Sequence, residues 1–474
     1  MERRPHKSSV NMPSSLLILV EDVLFNILGY CGIPGVVTIS QTCKHLQALA
    51  FSKHVWLALL QDLNARRMID LPVNEHLDQY SAPELVDLAK RTIHGPLSWS
   101  CWYPSPPVVA RREILHLGIQ RSAYPPPWPH EIKLIPGGVY VLCQKDAILT
   151  CWNVHEKRSV WEYKGKWDNP TWVLSFAGEL VDGDMAMMIV LAIRVSNVNQ
   201  NFIDIVHLDL ATGISHSRLL VLAPYTDHFN SFLRAKICDG VVCVGMHTGP
   251  KRVVLINVKT GSSKWLDVAA CSFDADLVPG HLIVYRDGHP PNTKATSVHI
   301  WRTDYLTSEV HPHSVSLINL PPLLSLVNTV VPHYSPHLRV SAHACPLREG
   351  NVFIIWACVS PDDITHSATV IHRYYLSLDP TNPRLVVDST GISFDPAHRA
   401  LLTSGISYTG HSMVRGAPAS TQRRIVYWGE RTSKKDDHRN FINIPHSFNN
   451  VHVSAYSGAL TYSVGDDVIV DYFL

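Results

Sequence analysis

The hydrophobic period of this chain changes once, near residue 100, and that change limits the folds open to it. Between Leu16 and Trp99 apolar residues return every three to four positions: Val23, Leu24, Ile27, Leu28, then Val36, Val37, Ile39, Cys43, Leu46 and Leu49. That spacing lines one face of a helix. From about Glu131 to Leu474 it gives way to short runs rich in Val, Ile, Tyr, Trp and Thr. Examples are "GGVYVLCQKDAILTCWNV", "GVVCVGMHTGPKRVVLINV" and "GDDVIVDYFL", with Gly, Asp, Asn and Pro between the runs. Such runs read as strands joined by turns. The expected fold class is multidomain, α followed by all-β.

Within the helical part, Gly32, Pro34 and Gly35 separate two helices, and a third is expected from about Lys53 to Leu63 with Val55, Trp56, Leu59, Leu60 and Leu63. Ser81 and Glu84 have capping-box spacing, Pro83 falls in a first turn, and Leu85, Leu88, Ala89 and Thr92 form one stripe. The segments "WYPSPPVV" and "YPPPWP" favour extended backbone. The expected divisions are a polar disordered tail at 1–14, a three-helix unit at 15–63, a helical spacer at 64–100, a proline-rich connector at 101–130 and a β-rich domain at 131–474.

The β-rich part repeats. Seven stretches end a strand in a polar or turn residue: "CWNVHEK", "VHLDLATG", "LINVKTG", "HIWRTDY", "YYLSLDP", "VYWGERT" and "VIVDYFL". Anchored on Trp152, Leu208, Ile256, Ile300, Leu376, Tyr427 and Val470, they step by roughly 40–75 residues, and the shorter steps suit a β-propeller blade. A degenerate propeller of six or seven blades is expected, with a pair of β-sandwiches as the alternative. Trp152-Asn153, Trp301-Arg302 and Trp428-Gly429 stand where Trp-Asp dipeptides belong, and Gly280-His281 and Gly410-His411 are irregularly spaced.

Charge is balanced, Lys+Arg 41 against Asp+Glu 40, so neither nucleic acid nor an acidic tail is indicated. None of the ten cysteines forms a CxxC pair, which suits buried free thiols in a reducing compartment. "LLILV" is cut off by Glu21 and Asp22, short of the ~7–15 residues of a signal h-region, and no stretch approaches the ~20 apolar residues of a membrane span. An intracellular, soluble protein of the cytoplasm and/or nucleus is expected.

Sites for chemistry are scarce. GxxxxGK[ST], GxGxxG and GxSxG are missing from the sequence. His311, His313, His333, His337 and His343 lie in proline-rich stretches without HExxH or a cysteine partner, and read as solvated loop residues rather than metal ligands. Asp362-Asp363 and Asp466-Asp467 read as turns. Cys43 and His45 point apart on a helix. Trp128, Trp167, Trp172, Tyr225, Phe229 and Tyr334 read as blade packing first and binding anchors second. No catalytic residue, metal or cofactor is expected, and the chain does not read as an enzyme.

Residues 19–60 resemble an F-box, the adaptor-binding module of SCF-type ubiquitin ligases. "LVEDVL" (Leu19 to Leu24) stands for Leu-Pro-x-Glu-Val-Leu; Ile27, Leu28, Tyr30 and Cys31 stand for Ile-Leu-x-Tyr-Leu; Pro34 opens the second helix, "TCKHL" matches the Cys-Lys-x-Leu element, and Trp56 is the closing Trp. "SAPELVDLAKRTIHGPLSW" is similar to the segment after the F-box in many basidiomycete proteins with a WD-repeat-like, propeller-like second half. Val20, Asp22 and Cys31 depart from the pattern. The resemblance implies adaptor contacts by Leu19, Val23, Leu24, Ile27, Leu28, Ile33, Pro34, Val36, Val37, Cys43, Leu46 and Trp56. It also implies a cullin partner reached through a Skp-type adaptor, and a substrate protein held by the β-rich half through residues it does not specify. Three short helices cannot bury every apolar face, and a leftover patch marks an interface. The alternative is that these side chains face the β-rich half or the helix after Ser81. Two other functions stay open: an interaction scaffold that never joins a cullin, and a propeller enzyme with an F-box appended.

Overall fold

A computed structural model describes residues 19–71, 75–100, 107–117, 131–145, 148–163, 165, 171–195, 200–223, 232–246, 251–287, 295–308, 314–328, 337–348, 350–360, 369–393, 406–415, 422–427, 441–443, 451–456 and 458–473. The tail at 1–14, the proline segments at 101–106 and 124–129, His311, His313, His333, Asp362-Asp363, Trp428-Gly429, Trp128, Trp167, Tyr225, Phe229 and Tyr334 lie outside the described residues.

Five helices precede the strands: α1 (Glu21–Tyr30), α2 (Gly32–Ser40), α3 (Lys44–Ala50), α4 (Lys53–Ala65) and α5 (Ala82–His94). The sequence reading merged α2 and α3 and placed the first break at Gly32, Pro34 and Gly35. The break falls at Cys31, and Pro34 and Gly35 sit inside the first turns of α2, where free N–H groups make proline harmless. The box at Ser81 is present: the Glu84 carboxylate accepts the Ser81 N–H at 2.7 Å. Leu85, Leu88, Ala89 and Thr92 are the buried face of α5.

The β-rich half is a series of antiparallel sheets, most of them four-stranded. The first holds Ile132–Leu134, Tyr140–Lys145, Ile148–Asn153 and Arg158–Glu162. The second holds Thr171–Val181, Ala186–Val195, Gln200–Asp209 and Ser215–Ala223. The third holds Phe232–Cys238, Val241–Met246, Arg252–Asn257 and Ser263–Asp267, and takes Ser314–Ser316 as a parallel fifth strand. The fourth holds Phe273–Val278, His281–Asp287, Thr296–Arg302 and Leu324–Asn328; the fifth holds His337–Ala344, Val352–Ser360, Thr369–Ser377 and Arg384–Ser393. Three strands are described in the sixth, His411–Arg415, Gln422–Tyr427 and Phe441–Asn443. The last sheet joins Val451–Val453, Leu460–Val464 and Asp467–Phe473 to Val109–His116 from the far end of the chain.

Val109–His116 corrects the expected divisions. It lies in the stretch read as a connector, yet it pairs antiparallel with Asp467–Phe473. Arg112 forks onto the buried Asp471 at 2.7 and 2.9 Å. First and last strands thus share one sheet, which removes a free edge.

Neighbouring sheets touch through their first strands, from second to third, third to fourth, fourth to fifth, sixth to seventh and seventh to first. Gln144 Nε2 donates to Val173 O at 2.6 Å between first and second sheets, and His343 Nε2 donates to Ile406 O at 2.7 Å beyond the fifth. The sheets therefore run in a ring, as in a propeller, and not as paired sandwiches. The second sheet is covered on both faces, so "AMMIVLAIRV" is apolar except for Arg194, and every residue of Ala186–Val195 is buried.

The sequence repeat has a local cause. Asn153, Asp209, Asn257 and Asp379 each use a side-chain oxygen to accept backbone N–H groups two or three residues on. These Asx turns follow the third strand of the first, second, third and fifth sheets. Gly213 and Gly261 close two of them at φ +71° and +72°.

No helix among the described residues is long and apolar enough to cross a membrane.

Candidate functional site

The helical part is bolted to one face of the ring by the residues after α4. Arg66 Nη2 donates to Cys345 O at 2.7 Å and Arg348 O at 3.3 Å. Arg67 Nη1 donates to Leu180 O at 2.7 Å and its other nitrogen pairs with Asp184. The buried Asp70 carboxylate accepts the Gly137 N–H at 3.0 Å and the Ser454 hydroxyl. All of these partners lie at or beside the turn from first to second strand of their sheets. Ala344, Leu347 and Tyr456 from the ring pack on the helical core. Trp99 is buried between His411 and Phe473, with ring centroids 5.3 and 5.2 Å away. The described part of 64–100 is thus docked against the sheets, whereas the sequence reading made this stretch a spacer.

With that face covered, the outward side of the helices is the candidate surface. On α1, Leu24 and Leu28 are 2% exposed and share a core with Val55, Leu59, Leu60 and Leu63 of α4. Val23, Ile27 and Tyr30, spaced i, i+4, i+7, turn the other way and are 40%, 38% and 88% exposed. Leu19 and Val20 are exposed just before them. On α2, Ile33, Val36 and Ser40 point inward, while Pro34 and Val37 point to solvent. Cys43 is exposed and caps α3, its Sγ accepting the Leu46 N–H at 3.5 Å.

The twelve residues named from the F-box resemblance therefore divide. Leu19, Val23, Ile27, Pro34, Val37 and Cys43 are exposed, and Leu46 is half-buried. Leu24, Leu28, Ile33, Val36 and Trp56 are buried in the helical core. They hold the helices together, in the same core on which Ala344, Leu347 and Tyr456 of the ring pack. Helical period alone cannot tell which side of a short helix faces inward when both sides carry apolar residues. Tyr30 and Phe51 are exposed and absent from the twelve. Tyr30 had a signal, seven residues after Val23. Phe51 had none: it is held by stacking on Trp56, centroids 6.0 Å apart.

The alternative, that the β-rich half or α5 seals these side chains, does not hold for the exposed group. Their counterparts, not they, make the contacts to α4 and α5.

The ring interior gathers charge that the sequence could not show converging. Lys236 pairs with Asp276 at 3.0 Å, and Lys133 with Glu131 at 3.0 Å. Asp274 and Asp276 accept the N–H groups of Val340 and Ala342 at 2.9 and 3.0 Å, tying the fourth sheet to the fifth. Burial lowers the Arg339 pKa to about 10, with Arg234 adding to the effect. Burial also holds His343 and His452 down to about 4. These acids are engaged in joining sheets. No group of three or more His, Cys, Asp or Glu suited to a metal ion occurs among the described residues. Asp467 pairs with His116 at 2.8 Å at the last turn. Trp172 lies on a strand of the second sheet.

No family model matches the chain, and no curated protein does. Among solved structures it is similar to the WD40 domain of SCAP from fission yeast, at 12% identity and TM-score 0.40, covering 73% of this chain and 84% of that one. The Dos1 propeller gives 12% identity and TM-score 0.38 over 72% and 77%. Raptor from Chaetomium thermophilum gives 10% and 0.45 over 97% and 39%. The propeller-like reading rests on the chain's own strand pairing and sheet contacts.

Proposed function

We propose that this chain is a substrate receptor of an SCF-type ubiquitin ligase, with an F-box in α1–α4 and a degenerate seven-bladed propeller behind it. One observation carries the reading: Leu19, Val23, Ile27, Pro34 and Val37 stay exposed on helices whose opposite faces are buried, and their place matches the F-box motif. Covering the remaining exposed area of such side chains with a partner is favourable at roughly 25 cal/mol per Å² of apolar surface, and several of them together form a docking patch for a Skp-type adaptor. The sheet count and the shared first-and-last sheet support seven blades. The ring presents a substrate protein. The mechanism is proximity: a tether raises the local concentration of a substrate lysine beside a charged conjugating enzyme, and no side chain here performs chemistry. Arg66, Arg67 and Asp70 make the tether stiff, so the distance from adaptor to substrate is set by the fold.

The test is capture of the purified chain by a fungal Skp-type adaptor. Val23→Asp with Ile27→Asp should abolish capture and leave the chain folded with only a small fall in melting temperature, because both side chains lie on the outward face of α1. Leu24 is no use as a probe, since its substitution would unpack the core. Capture that survives the double substitution sinks the reading. Capture without cullin in pull-downs from cells would leave a scaffold instead of a ligase subunit.

A further inference from the structure

Between α5 and the sheet that joins the chain's two ends lies a partly enclosed cavity of about 300 Å³. Ile69, Leu88, Tyr472 and Phe473 give it apolar walls, and Arg91, Arg111, Glu75 and Tyr80 bring polar groups to it. A few converging polar groups on apolar walls at a junction between units is the usual make-up of a ligand site.

The polar groups are unequal in what they have left to offer. Glu75 accepts the Tyr80 hydroxyl and faces Arg111 at 3.5 Å. Arg111 is held by Glu113 at 2.7 Å. Asp70, on the same wall, is engaged by Gly137 and Ser454. The Thr92 hydroxyl donates to Leu88 O at 3.0 Å. Arg91 differs: among the described residues its guanidinium has no hydrogen-bond partner, and burial lowers its pKa, opposed by the charges of Asp87 and Glu75. An arginine presents five N–H donors in a planar fork, and here the fork stands half-buried at the cavity wall with its donors uncommitted to any described side chain.

We propose that this cavity binds a small anion, a phosphate or carboxylate borne on an aromatic or aliphatic body, with the head group on Arg91 and the body against Leu88, Tyr472 and Phe473. Such a ligand bridges α5 to the closing sheet and tightens the joint between the helices and the ring. The proposal goes beyond the receptor reading and does not depend on it, since no adaptor takes part.

The test is calorimetric titration of the full chain with phenyl phosphate, benzoate and inorganic phosphate, with melting temperature as a second readout. Phenyl phosphate or benzoate should bind saturably and raise the melting temperature, and the tighter of the two names the head group. Inorganic phosphate should bind at least tenfold more weakly than phenyl phosphate. Arg91→Gln should weaken binding at least tenfold, while Arg302→Gln, far off on the fourth sheet, should leave it unchanged. Should Arg91→Gln fail to fold, Arg91→Lys reads the same site through a severalfold loss, because an ammonium cannot fork onto the head group. Absence of saturable binding by both organic probes, inorganic phosphate binding as tightly as phenyl phosphate, or undiminished binding by a folded Arg91 variant overturns the proposal.

Discussion

Gly458 shows how much single positions decide at the seam between helices and ring. Its φ is +71°, and a Cβ there would stand 2.4 Å from Pro96 Cδ and 3.1 Å from Trp99 Cζ3. Gly458→Ala is expected to cost about 2–4 kcal/mol, combining a left-handed backbone with overpacking; the midpoint of urea unfolding reads it. Asp70 is the polar counterpart. Its carboxylate joins the helices to the first and last sheets, so Asp70→Ala strands a backbone N–H and should cost about 2–4 kcal/mol. Asp70→Asn, which keeps one acceptor, should cost less in the same assay. Neither role was legible in the sequence, because both depend on partners more than sixty residues away. The Asx turns at Asp209 and Asn257 were legible, since donor and acceptor lie within three residues.

Among elements, the short ones at the chain's turning points carry most of the organisation. The capping box fixed the start of α5 from sequence, because Ser81 and Glu84 are local partners. The closing strand Val109–His116 was missed, because prolines on either side mask it and its partner lies some 350 residues further on. Leu115, fully buried on that strand, pairs with Val468. Leu115→Pro removes a ladder donor inside the sheet and should cost about 3 kcal/mol or more. Denaturation should show a lower midpoint, and limited proteolysis should release the two ends of the chain first. An unchanged midpoint would mean that closure adds little to the ring.

Across the whole molecule, buried histidines tie stability to pH. Burial lowers the pKa of His299, His343, His372 and His452 to about 4 and of His411 to about 3, from 6.5. The unfolded chain binds their protons near pH 6.5 and the folded chain only well below it. Their contribution is therefore complete above pH 6.5 and is lost as pH falls toward about 4. Unfolding free energy measured by urea at pH 7.5, 6.0 and 5.0 should fall steeply, with several protons taken up on unfolding. A flat profile across that range would contradict the neutral burial of these rings. The sequence read them as loop residues or left them unread; their burial follows from strands that pack sheet against sheet.

What the sequence determined by itself was everything carried by neighbours along the chain: the change from helical to strand period near residue 100, the caps and turns, and the apolar runs that must be covered on both faces. What only the tertiary structure decided was which partner each face met. It sorted Leu24 and Leu28 inward from Val23 and Ile27 outward, brought Val109–His116 to Asp467–Phe473, and left Arg91 facing a cavity. The physical reason is that propensity, capping and turn geometry act over a few residues. Burial is settled by contacts between segments whose separation in sequence places no limit on their closeness in space.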